Sequence, residues 1–115
     1  MFHITARSEI ENAQRSGIYT PHAFPKEGFI HCSYVHQIVE VANRLFLHRT
    51  DLVLLEIDTS RLDCKIIDEN LYGGTELFPH IYGVLPISSI VRIHDFPCDT
   101  HGQFQLPPSV EQMLP

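Results

Sequence analysis

Four stretches of the chain set titratable and polar side chains among apolar ones at strand spacing. His3 and Thr5 lie two apart, as do His31 and Ser33, and His80 and Tyr82. In an extended chain, residues two apart face the same way. Glu69, preceded by Asp68, closes the apolar pair Ile66-Ile67. A histidine-x-hydroxyl pattern repeated three times suggests polar walls facing one cleft, where imidazoles and hydroxyls hold something small. Each group also has a plain structural account. A histidine beside apolar residues is most often a core residue satisfied by one carbonyl and one donor. Ser33 sits where it would cap the helix that follows, and Tyr82 could be a core ring with its hydroxyl outside. If the Ser33 cap lies at the cleft, the helix N–H groups beside it favour an anionic ligand. His22, His36, His48, His94 and His101 read as surface or loop residues.

Other chemistries are poorly served. His31, Cys32 and His36 are close in sequence, but neighbours on a strand point to opposite faces and do not chelate one ion. The same geometry weakens Cys32 as a nucleophile paired with His31. Cys32, Cys64 and Cys98 are odd in number and widely spaced, which fits free thiols better than disulfides or a zinc knuckle. Gly73-Gly74 is an isolated pair, not a phosphate-cradling loop. No metal is expected.

The elements that must position these groups follow from periodicity. Phe2–Thr5 reads as a strand. Ser8 and Glu11 have capping-box spacing ahead of a helix over Glu9–Ser16, and Gly17 suits the left-handed position after it. Tyr19–Gly28, with two prolines, reads as a loop, and Gly28–Ser33 as a strand. Val35, Ile38, Val39, Ala42, Leu45 and Phe46 form one apolar stripe, so a helix runs over Val35–Phe46. Leu52–Asp58 reads as a central strand buried on both faces. Lys65–Glu69 is a weaker strand, and Pro79 argues against an uninterrupted central strand over Phe78–Leu85. Ser89–His94 closes the regular pattern. Early helices and late strands point to an α+β domain over residues 1–95. Residues 96–115 read as a proline-containing tail over its surface.

Length and composition agree. The 115 residues suit one domain, and 43% apolar with 19% charged content is that of a folded protein. The net charge is −6, and the eight basic residues are scattered, so general nucleic-acid binding is disfavoured. No apolar run is long enough to span a membrane, and the N-terminus lacks the pattern of a secretion signal, so the cytoplasm is the expected compartment.

The runs Gly28-Phe29-Ile30-His31-Cys32-Ser33 and Phe78-Pro79-His80-Ile81-Tyr82-Gly83, with Gln37-Ile38, Ala42-Asn43, Leu52–Leu55 and Ile57-Asp58, resemble the DUF952 family of small bacterial proteins. The resemblance spans about Phe2 to Ile93. Phe2 and Ile10 stand where that family usually has Tyr and Trp. It has no established reaction, but its fold is similar to the ADP-ribosyltransferase fold, a split antiparallel sheet with two main helices and a cleft for NAD. The strands Phe2–Thr5, Ile30–Ser33 and Val53–Asp58, with Val84-Leu85-Pro86, also resemble the catalytic half of RNA 2′-phosphotransferases. The arginines those enzymes use on phosphate have no counterparts here, and the acidic charge argues against that reaction.

The resemblance implies a transferase cleft that takes NAD or a related nucleotide and transfers or hydrolyses ADP-ribose. His31, Glu69 and His80 would be catalytic, with Glu76 the alternative carboxylate; His3, Thr5, Ser33 and Tyr82 would hold the nucleotide. His3 or His31 would bond the nicotinamide ribose, Ser33 the ribose or amide, and Tyr82 would pack on the nicotinamide. The alternative is a small-ligand or partner-binding module that keeps the cleft without the chemistry.

Overall fold

Alternation along the most apolar run of the chain determines the architecture. In β4 (Leu52–Ile57), Val53, Leu55 and Ile57 enter one core, while Leu52 and Leu54 enter a second core on the opposite face. This computed structural model describes residues 1–71 and 73–114. β4 lies between β1 (Phe2–Ala6) and β8 (Ile90–Asp95) in a three-stranded antiparallel sheet, with a register shift between Glu56 and Ile57. A second antiparallel sheet has β6 (Phe78–Tyr82) between β3 (Ile30–His31) and β5 (Lys65–Glu69). A two-residue ribbon pairs β2 (Ile18–Tyr19) with β7 (Leu85–Pro86). The molecule is thus α+β, with antiparallel sheets and a few short helices.

The helices pack on the two faces their apolar residues dictate. α1 (Arg7–Ser16) turns Ile10 and Ala13 into the first core, and Gly17, at φ 83°, ends it by donating its N–H to the Ala13 carbonyl. α2 (Phe24–Glu27) is a single turn. α3 (Ile38–Leu45) buries Ile38 and Ala42 in the second core, and α4 (Pro108–Glu111) adds Val110 to it. Among the described residues, no helix is long and apolar enough to cross a membrane.

Several local expectations need correction. α1 begins at Arg7 with Ala6 at the cap position, so Ser8 is already inside the first turn and caps nothing. Ser33 is not a cap either. It exchanges backbone hydrogen bonds with Phe2 (2.9 and 2.8 Å), tying the two larger sheets together. Tyr34 takes the cap position: its N–H donates to Gln37 Oε1, 3.0 Å away, and a 3₁₀ turn over Val35–Gln37 precedes α3. The stretch read as a loop contains β2 and α2. Phe78–Leu85 is not one uninterrupted strand, as expected, but the break falls after Tyr82 and not at Pro79, which sits near the start of the central strand β6 with its carbonyl accepting from the Cys32 N–H (3.0 Å). The segment expected on the surface supplies Phe96, Phe104 and Val110 to the second core. Polar spacing and prolines made it read as a tail, although three of its apolar side chains are buried.

Candidate functional site

The edge of β1, α3 and the β3–β6–β5 sheet enclose a pocket of about 730 Å³. On β1, His3 and Thr5 pair with Leu55 and Val53 and therefore share the first-core face. His3 is buried: its Nδ1–H donates to the His31 carbonyl (2.6 Å), and Nε2 lies 2.9 Å from the Tyr19 hydroxyl. That hydroxyl is 2.8 Å from Thr5 Oγ1, itself 2.6 Å from Glu9 Oε2. Four side chains from β1, α1 and β2 thus form one hydrogen-bonded row running from the interior to a carboxylate at the pocket wall. Burial pulls the His3 imidazole down to about 4 and raises the Tyr19 phenol and the Cys32 thiol well above their ordinary values. Cys32 is therefore an unreactive core thiol.

The second sheet brings the other two histidines together. His31 and His80 are register partners across β3 and β6, with ring centroids 5.1 Å apart and planes at 78°. His31 is exposed, and its Nε2 lies 2.6 Å from Glu27 Oε2, one residue before the glycine that ends α2. His80 is only 2% exposed; Phe29 stacks on its ring at 4.4 Å. The His80 Nδ1–H donates to Glu69 Oε1 over 2.9 Å, and the Tyr82 hydroxyl donates to the same oxygen. These two donors, Tyr82 first and His80 second, hold the Glu69 carboxyl below its ordinary range.

His3, Thr5, His31, Ser33, Glu69 and His80 all line the pocket. Tyr82 is not among the lining residues; it reaches the site through Glu69 and packs against Phe29 (5.3 Å). Glu76 lies outside as well, accepting from Gln37 Nε2 (3.0 Å). Sequence reasoning missed Glu9, Glu27, Phe29, Tyr19, Arg44 and Asn70. Glu27 had a readable signal, four residues before His31. Tyr19 lies in a stretch that reads as loop, and Arg44 on a helix whose readable signal is its apolar stripe. Among the described residues, no group of three or more His, Cys, Asp or Glu side chains could hold a metal ion.

The chain matches the family model described as a protein of unknown function, DUF952, over residues 4–93. It belongs to that family. Solved structures of DUF952-like architecture come from Caulobacter crescentus protein CC0527. Its X-ray structure is 31% identical, covers 96% of each chain and superposes with a TM-score of 0.83. The solution NMR structure of the same protein is 31% identical, covers 98% of this chain and 94% of that one, and gives 0.76. No curated protein matches the sequence.

The Glu69 contacts yield a direct expectation. Tyr82→Phe removes the first of two donors, so the Glu69 carboxyl should titrate closer to the ordinary carboxylate range, read by its ¹³C carboxyl shift against pH. An unmoved titration would show that Tyr82 does not hold this oxygen in solution.

Proposed function

We propose that this DUF952 protein binds the nicotinamide end of NAD, or of a related nucleotide, in an ADP-ribosyltransferase-like cleft and transfers or hydrolyses the ADP-ribose. The observation that supports this reading is the gathering of His3, Thr5, His31, Ser33, Glu69 and His80, from distant parts of the chain, around one pocket. Glu9, Glu27 and Glu69 lie along its wall, and Arg44 is the cationic lining residue. Carboxylates suit a cationic nicotinamide ring, and Arg44 suits the phosphates. As the glycosidic bond breaks, positive charge grows on the ribose. A carboxylate held below its ordinary range stays ionised and stabilises that charge, which is the role assigned to Glu69. In this reading His31, the exposed imidazole of the pair, bonds the ribose hydroxyls, and His80 orients Glu69 through its hydrogen bond.

Calorimetry with NAD tests the reading. The native chain should give binding heat that His31→Ala removes, and should release nicotinamide at a rate that Glu69→Gln lowers by at least tenfold. No heat and no thermal shift at millimolar NAD would overturn it. One observation favours the binding-module alternative: Glu69 Oε1 already accepts from both His80 and Tyr82, which leaves it less free to meet a forming cation. Binding without nicotinamide release is the outcome that selects that alternative.

A further inference from the structure

A second polar constellation lies on the other face of the central sheet. In the β4–β8 register, Leu54 faces His94 and Glu56 faces Arg92, so Glu56 and His94 are diagonal neighbours on the second-core side. His94 was expected at the surface, yet it is only 4% exposed, with the Phe2 ring 6.2 Å from its own. Its Nε2 lies 2.8 Å from Glu56 Oε1 and its Nδ1 lies 2.8 Å from Ser109 Oγ. Ser109 is exposed in the first turn of α4, held there because Phe96, Phe104 and Val110 anchor the C-terminal segment in the core. An open groove of about 710 Å³, with Arg92, Asp95, Gln103 and Pro107 along it, runs past His94 and Ser109.

Hydrogen-bond chemistry assigns the protons. An ionised carboxylate only accepts, so the His94 Nε2–H donates to Glu56. Nδ1 then presents its lone pair to Ser109, whose O–H donates to it. This is the order nucleophile, base, orienting carboxylate, the arrangement that activates a serine. The serine is the solvent-facing member, and the other two are sheltered by the sheet and the second core.

We infer that Glu56, His94 and Ser109 form an acyl-transfer site acting on carboxylic esters. Ser109 Oγ bonds to the ester carbonyl carbon as its proton passes to His94 Nδ1. The carbon–oxygen bond to the alcohol then breaks, and the alcohol leaves with that proton. Water attacks the acyl-serine, gives a proton to His94 and releases the carboxylic acid; the proton returns to Ser109. Glu56 acts through His94 as a positioning residue.

The test treats the full chain with a fluorophosphonate and with p-nitrophenyl acetate. Mass spectrometry should find one phosphonyl adduct, on Ser109, and the ester should release one nitrophenolate per chain in a burst. Ser109→Ala changes an exposed side chain, so its melting curve should stay near native while adduct and burst disappear. Glu56→Gln should slow labelling at least tenfold with an unchanged melting curve, because a neutral amide no longer fixes the His94 tautomer whose Nδ1 accepts from Ser109, and Glu56→Asp should restore part of the rate. An unlabelled native chain, an adduct on another residue, or undiminished labelling of the Ser109→Ala chain would each overturn the inference. A melting temperature that falls by many degrees in Ser109→Ala with no labelling of the native chain would make the three residues a fastener for the C-terminal segment.

Discussion

Phe104→Ala should destabilise the molecule by about 3–5 kcal/mol, the range for removing a buried phenyl ring. The ring is buried in the second core, and its centroid lies 4.8 Å from that of Phe96. Its backbone is clamped by one side chain of α3: the Phe104 N–H donates to Asn43 Oδ1 at 2.7 Å, and Asn43 Nδ2 donates back to the Phe104 carbonyl at 3.4 Å. Those bonds keep the segment from collapsing into the space the ring leaves, so the cavity term should persist. Domains of this kind have roughly 5–15 kcal/mol in total, so the loss is a large share of it. Urea unfolding measures it: the midpoint should fall while the slope stays constant. A midpoint within the error of the native chain would mean that the C-terminal segment only rests on the surface.

Acid should weaken the fold through His3. Its imidazole titrates at about 4 in the folded chain against 6.5 unfolded, because burial disfavours the charged form. Between those values the unfolded chain holds a proton that the folded chain does not. Stability is therefore full above pH 6.5 and declines as the pH falls toward 4, by about 3 kcal/mol in total. Carboxylates titrate in the same window, so the informative quantity is a difference between two chains. His3→Gln has no imidazole to protonate, and its urea midpoint should fall less than that of the native chain over this range. Parallel curves for the two chains would show that His3 is not the group responsible.

Much of this was readable from the chain. The strands at β1, β4, β5 and β8 follow from alternation and apolar runs, which depend only on residues adjacent in sequence. The partners of His3, His31 and His80 were less legible, because they depend on long-range pairing. Nothing near His31 announces that His80 is its register partner, nor does Phe29 announce that it stacks on His80. Helix caps misled for the opposite reason. Ser8 and Ser33 have favoured capping types, but a bridge to Phe2 takes the Ser33 backbone, and α1 starts a residue before Ser8. His94 was missed because β8 is half exposed: its alternation is weak, and its neighbours Arg92 and Asp95 suggest solvent.

The thickness of the β1–β4–β8 sheet has a kinetic corollary. His3 and Thr5 stand on one side of this septum, while His94 and Glu56 stand on the other, and the two hollows share no lining residue. If both proposed sites act, they have no common wall along which a ligand could pass, so each would exchange with bulk water on its own.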